Sequence, residues 1–211
     1  MAKPINLAVL ISGGGSTLQN LIDKISEGTL LAHIKIVISS SPDAYGLKRA
    51  KQRGIPATIV QKSGYDTSQT FSDAIVQEIE KYQIDLVILA GFLHLFKIPD
   101  SYVGKVMNIH PALIPAFCGK GYYGSRVHKA VIGSGVKISG CTVHFVDNEY
   151  DTGPIIIQRV VPVLDEDSPE TLAQRVFTAE TVAYPEAIRL FAEGRLQIVG
   201  RRVNTLKAEP T

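Results

Sequence analysis

The chain has no tryptophan, only two cysteines and two methionines, and almost no net charge: 22 Lys and Arg stand against 20 Asp and Glu, a formal +2. Each shortage excludes something. Cys118 and Cys141 form neither a close pair nor a metal-ligand spacing, so a disulfide framework and a zinc centre are excluded and reduced thiols in a cytoplasmic protein are expected. A near-zero balance supplies no basic stripe or tail, so nucleic acid is not expected as the main partner. No apolar run approaches the ~20 residues that a membrane helix needs, so no membrane association is expected. The opening Met-Ala-Lys-Pro-Ile-Asn leads into an apolar run too short for a secretory signal. There is no internal repeat and no low-complexity linker.

What is present is an ordinary soluble composition, 45% hydrophobic and 20% charged over 211 residues. That length suits one domain, able to bury roughly 70% of its unfolded surface. The first half alternates short β-branched runs with helical stretches. Leu7 to Ile11 is a continuous apolar run ending in Ser12-Gly13-Gly14-Gly15. Thr17 to Glu27 follows, with Leu18, Leu21, Ile22 and Ile25 at helical spacing and Gly28 as a stop. Ile34 to Ile38 is a strand, Ala44 to Arg53 a helix closed by Gly54, and Ala57 to Val60 a short strand. Ser68 to Tyr82 is a helix with Phe71, Ile75 and Ile79 on one stripe, and Leu86 to Ala90 a buried strand closed by Gly91. This alternation predicts a parallel sheet with helices on both faces, and continuous rather than alternating apolar runs agree with strands covered on both sides.

The second half differs. Val106 to His110 is a strand, followed by a Pro- and Gly-rich stretch to Ser125 and a short helix at Arg126 to Ile132. Ser139 to Val146 and Ile155 to Val163 are strands joined by an acidic loop. Pro169 to Glu193 is a long helix with Ser168 as N-cap, Pro169 at the first helical position and Gly194 as the stop, and Leu196 to Val199 adds an edge strand. The expectation is a single α/β domain over 1–211: a mostly parallel, twisted sheet, with a Rossmann-like half at about 1–105 and a half at about 106–211 carrying antiparallel additions. Ligands of such sheets sit outside the carboxyl ends of the strands.

Two strand ends carry chemistry. Ser12-Gly13-Gly14-Gly15-Ser16-Thr17 joins a buried strand to a helix, where glycines let the backbone approach a ligand and free N–H groups attract an anion. The loop fits neither the dinucleotide nor the Walker pattern and suits a phosphate monoester; the alternative is a tight turn without a ligand. Met107-Asn108-Ile109-His110-Pro111 ends another strand. Asn108 and His110, two apart, project to one side, and Pro111 keeps His110 extended. A carboxylate brought from Glu149-Tyr150-Asp151-Thr152-Gly153-Pro154 to His110 would orient the imidazole and tune it; alternatively that segment is a solvated turn. Of the other histidines, His33 and His128 are expected at the surface, His144 in the core with a hydrogen bond, and His94 lining a pocket.

Six stretches carry a resemblance: Val-Leu-Ile-Ser-Gly-Gly-Gly-Ser-Thr-Leu-Gln from Val9, Leu-Ala-Gly-Phe from Leu89, Asn-Ile-His-Pro-Ala-Leu-Ile-Pro from Asn108, Thr-Val-His-Phe-Val from Thr142, Tyr-Asp-Thr-Gly-Pro-Ile-Ile from Tyr150, and Ala-Glu-Thr-Val-Ala-Tyr-Pro from Ala179. Taken in order over nearly the whole chain, they resemble the folate-dependent formyltransferase superfamily, and within it the branch acting on glycinamide ribonucleotide. The resemblance implies the formyltransferase fold and transfer of a formyl group from 10-formyltetrahydrofolate to the primary amine of glycinamide ribonucleotide, a step of purine synthesis that needs no metal. It implies Asn108, His110 and Asp151 as catalytic residues, converging beside the glycine loop. Gly13, Gly14, Gly15, Ser16 and Thr17 would hold the phosphate and Glu180 the sugar; Leu93, His94, Leu95 and Phe96, with Asn148, Glu149 and Tyr150, would frame the folate. His94 stands where the family commonly has Arg, Ala112 where it has Ser and Thr17 where it has Asn. Rival readings are a formyl-folate hydrolase, a formyltransferase acting on charged tRNA, and a non-catalytic phosphate-binding module. The partners are then two small molecules, and a homodimer is left open.

Overall fold

The five residues Leu7–Ile11 are wholly buried and form the centre of β1 (Ile5–Ile11), as their unbroken apolar run requires. The computed structural model describes residues 3–207; Met1 and Ala2 of the N-terminal stretch lie outside them. The chain divides after Asn108 into two compact units.

In the first unit α1 (Ser16–Ser26), β2 (Ala32–Ser39), α2 (Tyr45–Gln52), β3 (Ala57–Ile59), α3 (Ser68–Ile79) and β4 (Leu86–Leu89) follow β1 in the expected alternation, and β5 (Val106–His110) begins here. The strand order is β3-β2-β1-β4-β5 and every pairing is parallel. Parallel strands need helical crossovers, which cover the faces and explain the near-continuous Val, Ile and Leu of the strands. Phe71, Ile75 and Ile79, the expected stripe of α3, are wholly buried. That helix stops at Ile79 rather than Tyr82 because Tyr82 N–H turns back to the Ile79 carbonyl (3.0 Å).

The loops at the carboxyl ends of β1, β2 and β4 are tied together by Ser12. Its N–H donates to the Gly91 carbonyl (3.1 Å), and its Oγ meets Ser40 Oγ at 2.7 Å and accepts from Leu93 N–H at 2.9 Å. The glycine loop and the 93–96 loop, both expected to hold ligands, therefore share one fixed point.

The second unit holds α4 (Ser125–Ser134), β6 (Ile138–Phe145), β7 (Ile155–Pro162), α5 (Pro169–Ala192), β8 (Leu196–Val199) and β9 (Arg202–Thr205), with strand order β6-β7-β9-β8. β6–β7 and β8–β9 are antiparallel and β7–β9 is parallel. β9 goes unanticipated in the sequence because Arg-Val-Asn-Thr has a single apolar residue; it forms by hairpin pairing with β8, with Gly200 at φ 59° near the turn. Among the described residues no helix is long and apolar enough to cross a membrane. α5 runs for 24 residues through Pro185 and buries Leu172, Val176, Ala183, Tyr184, Ala187, Ile188 and Leu190.

At the start of α5 the Ser168 side chain accepts from Thr171 N–H (3.3 Å) while Thr171 Oγ1 accepts from Ser168 N–H (3.0 Å). Ser168→Ala removes half of this reciprocal cap and should lower unfolding stability by about 1 kcal/mol, with Ser168→Asp restoring most of it; urea denaturation of the three proteins measures the difference.

Candidate active site

The loop between β6 and β7 is built to aim one side chain. Gly153 lies so close to the Phe145 carbonyl that a Cβ there would collide with it, and Phe145 N–H donates to the Pro154 carbonyl at 2.9 Å. Thr152 Oγ1 reaches both oxygens of Asp147 (2.7 and 2.8 Å), Glu149 N–H donates to Asp147 (3.1 Å), and Arg201 holds the Thr152 carbonyl (2.8 Å). Asp151 adopts a left-handed backbone, φ 57°, which Asp tolerates better than most residues. Its carboxylate is turned inward, with 11% of the side chain exposed.

Three groups meet that carboxylate. Gly119 N–H donates to Oδ2 at 2.9 Å. His110 Nδ1 lies 3.6 Å from Oδ2, and His144 Nε2 lies 3.6 Å from Oδ1. Each imidazole presents its other nitrogen to a backbone carbonyl: His110 Nε2 to Phe117 at 2.8 Å and His144 Nδ1 to Phe145 at 2.8 Å. A carbonyl only accepts, so His110 Nε2, which faces one, carries a hydrogen, and His110 Nδ1 is where a proton can be exchanged with Asp151. Burial alone would raise the Asp151 pKa. The hydrogen bond from His144, the charge that His110 carries at the acid pH where a carboxyl titrates, and the Gly119 N–H outweigh it and hold the carboxyl below the usual range. Burial is the largest influence on His110 and lowers it; Asp151 and the Phe117 carbonyl pull the other way without cancelling it. The resting pair is thus an ionised Asp151 beside a neutral His110.

His144 was expected only as a hydrogen-bonded core residue. It is buried and bonded, and it also reaches Asp151. The signal was available in its position within β6, which runs straight into the Asp151 loop, but an apolar strand context masks it. Thr142, given no role of its own by the sequence, is wholly buried. It donates to the Ala112 carbonyl (2.7 Å) and accepts from Ile114 N–H (3.1 Å), pinning the chain just beyond His110 and Pro111. His33 is exposed as expected. The expectation for His128 is corrected: it is 4% exposed, because Val127, His128 and Val131 form the buried face of α4. Its Nδ1 has no hydrogen-bond partner, and burial first, then the charge of His110, lowers its pKa. Cys118, half-buried, has its thiol pushed up by burial and by Asp151, which keeps it protonated and unreactive.

Glu180 lies partly buried on α5, and burial pushes its carboxyl up to about 7. It is felt by Cys141 of β6, whose thiol is pushed up to about 12 by burial and then by Glu180.

In the first unit, Asn108 is half-buried on β5 in register with Leu89. The glycine loop ends in Gly15, left-handed at φ 68°, and no side chain caps the α1 N-terminus. Gly13, Gly14 and Ser16 are exposed and Thr17 is buried. In the 93–96 loop Leu93 is exposed, and His94 sets its ring edge against Phe71 (5.5 Å) and Phe92 (5.9 Å). Burial, and then Lys62, lowers the pKa of His94. Phe96, 1% exposed, belongs to the core. Asn148, Glu149 and Tyr150 are exposed on the Asp151 loop. Among the described residues no three His, Cys, Asp or Glu side chains are grouped to hold a metal.

An α/β scaffold carrying a two-histidine aspartate and an uncapped glycine loop has the parts of a group-transfer enzyme: a group that can accept a proton and free N–H groups that can face an anion. The formyl transferase family model matches residues 5–188, and the chain belongs to that family. It is 38% identical over 196 residues to phosphoribosylglycinamide formyltransferase of Escherichia coli, covering 92% of this chain and 90% of that one. It is 40% identical over 192 residues to the chloroplastic phosphoribosylglycinamide formyltransferase of Vigna unguiculata, covering 90% of this chain but 62% of that one. Against the trifunctional purine biosynthetic protein adenosine-3 of Bos taurus it is 42% identical, covering 93% of this chain and spanning 19% of that protein. Among solved structures, glycinamide ribonucleotide transformylase 1 of Symbiobacterium toebii superposes with a TM-score of 0.90 at 43% identity, over 97% of this chain and 95% of that one. A formyltetrahydrofolate deformylase of Pseudomonas syringae, 24% identical, shares the fold with a TM-score of 0.85, over 98% of this chain and 67% of that one.

Because Asp151 raises the His110 pKa against the larger effect of burial, Asp151→Asn should lower it further below ~6.5. Nitrogen-15 NMR should find a neutral His110 with its hydrogen on Nε2 at pH 7 in both proteins. A His110 pKa that rises in Asp151→Asn contradicts the geometry.

Proposed function

We propose that this protein is a phosphoribosylglycinamide formyltransferase. It moves the formyl group of 10-formyltetrahydrofolate onto the primary amine of glycinamide ribonucleotide, giving formylglycinamide ribonucleotide and tetrahydrofolate in purine synthesis. The observation that carries the reading is the inward-turned Asp151 carboxylate set between two imidazoles, in a chain whose relatives of similar length carry that activity in their names. Residues 1–211 act as one formyltransferase domain, and the family match running through both units supports this. The reaction's partners are two small molecules; nucleic acid and membrane take no part, and the cytoplasm is its place.

In this reading the amine attacks the formyl carbon and negative charge grows on the formyl oxygen. Asn108 donates its amide N–H to that oxygen, with His110 as a second donor once charged; loss of one such donor costs ~3 kcal/mol in the barrier. Asp151 accepts the amine's proton, directly or through a water, and shares it with His110 Nδ1. The proton then returns to the departing folate nitrogen. Gly13, Gly14, Gly15, Ser16 and Thr17 receive the phosphate at the α1 N-terminus, and Glu180 takes the ribose hydroxyls. Leu93, His94 and Leu95 with Asn148, Glu149 and Tyr150 frame the folate, Phe96 contributing backbone only.

The shared fold of a deformylase makes hydrolysis the competing reaction. Purified protein supplied with both substrates should release tetrahydrofolate in step with loss of the ribonucleotide amine; release of formate without the ribonucleotide is the result that sinks the transferase reading. Asp151→Asn keeps the shape and removes the acceptor, so kcat should fall by roughly 10²–10⁴ with smaller changes in either KM.

Glu180 supplies a pH test. With its carboxyl raised to about 7, it gains charge between pH 6 and 8, and a charged acceptor binds hydroxyls more strongly than a neutral one. Ribonucleotide KM should therefore fall as pH rises through that window, and Glu180→Gln should flatten the dependence while leaving folate KM nearly unmoved. An unchanged profile in Glu180→Gln removes the ribose role.

A further inference from the structure

An anion can use the N–H groups of a loop only if the loop's carbonyls are turned elsewhere. In Gly13-Gly14-Gly15 all three are engaged. Gly46 N–H donates to the Gly13 carbonyl (3.1 Å), Arg49 Nε to the Gly14 carbonyl (3.0 Å) and Gln19 N–H to the Gly15 carbonyl (2.9 Å). Only the last is an ordinary first-turn helix bond; the other two come from α2, a helix that the reading of the site left without a role.

Arg49 is itself held on three sides. Its Nη1 donates to Gln19 Oε1 (3.0 Å), its Cζ lies 5.0 Å from the Tyr45 ring centroid, and Gln19 is braced in turn by donating to Asp23 (2.8 Å). Where α2 meets the loop there is no space to spare. A Cβ on Gly15 would stand 2.7 Å from Gly46 Cα, and one on Gly46 would stand 2.5 Å from Ile11 Cδ1. A Cβ on Gly14 would meet nothing within 4 Å, so no packing of α2 against that residue fixes its orientation; the bond from Arg49 is the contact that its carbonyl makes.

Building on the functional reading above, we propose that Arg49 is a positioning and specificity residue for the substrate phosphate. It fixes the Gly14 carbonyl outward, so that the loop's N–H groups face the anion, and sets a guanidinium charge beside them. A merely structural Arg49 would staple α1 to α2 and affect all substrates alike. A phosphate-positioning Arg49 affects only substrates that carry the phosphate, and that difference is measurable.

The experiment compares kcat/KM for glycinamide ribonucleotide with that for its dephosphorylated riboside, and measures competitive inhibition by inorganic phosphate, in wild type, Arg49→Met and Arg49→Lys. Arg49→Met should cut the preference for the phosphorylated substrate by about tenfold or more and weaken phosphate inhibition in parallel. Arg49→Lys, whose ammonium can still donate to the Gly14 carbonyl, should recover most of both. Should Arg49→Met fail to fold, Gln19→Met, which releases one brace on the guanidinium, should show a smaller loss in the same direction. A preference undiminished in folded Arg49→Met, or an equal fall for ribonucleotide and riboside, overturns the inference while leaving the functional reading intact. A wild-type enzyme that shows no preference for the phosphate removes the functional reading and this inference with it.

Discussion

A carboxylate withdrawn from water must be compensated where it lies, and much of the second unit is arranged around that requirement at Asp151. An uncompensated buried charge would be protonated rather than tolerated. Here the Gly119 N–H and His144 supply the compensation, His110 adding its charge once protonated, and each partner is fixed by something else: His110 by the Phe117 carbonyl, His144 by the Phe145 carbonyl, Gly119 by the turn in which its carbonyl accepts from Tyr122 N–H. Gly153 against Phe145, Thr152 on Asp147 and Arg201 on the Thr152 carbonyl keep the loop from relaxing. The result is a base that stays ionised at neutral pH with a neutral imidazole beside it, a combination suited to taking up one proton and giving it back.

In the proposed reading the first unit meets the opposite demand, keeping N–H groups available where the ligand would bring the negative charge. It does so by occupying carbonyls. Ser12 joins the ends of β1, β2 and β4, while Gly46 and Arg49 of α2 turn away the carbonyls of Gly13 and Gly14. Glycine is needed at position 15 for two independent reasons, a left-handed backbone and a close approach to Gly46, which explains why a flexible residue is placed in a loop that is not loose.

The α/β alternation was legible because buried parallel strands must be apolar throughout and helices must show a 3.6-residue stripe, so Leu7–Ile11 and Phe71, Ile75 and Ile79 declare themselves. Ser168-Pro169 and Gly194 marked both ends of α5 because caps are local chemistry. β9 was not legible, since its pairing is supplied by β8 and not by its own Arg-Val-Asn-Thr. The Asn108 and His110 pair could be singled out from strand spacing. That Asp151 reaches His110 across some forty residues came from resemblance, because no local rule brings a turn aspartate inward. His144 and His128 show the limit most clearly. Both sit among apolar neighbours, and only the tertiary structure separates the imidazole that touches the carboxylate from the one whose Nδ1 has no hydrogen-bond partner.

The central claim is that Asp151 works as an ionised proton acceptor kept so by His144. The direct test is the pH dependence of single-turnover formyl transfer in wild type and His144→Gln. A depressed carboxyl pKa keeps the acceptor charged down to acid pH, so the wild-type acid limb that reports Asp151 should lie below the ordinary carboxylate value of ~3.9 or be cut off first by unfolding. In His144→Gln the lowering hydrogen bond is weakened and burial is not, so the limb should move upward by on the order of one pH unit. A folded His144→Gln enzyme with the wild-type limb and rate would contradict the account.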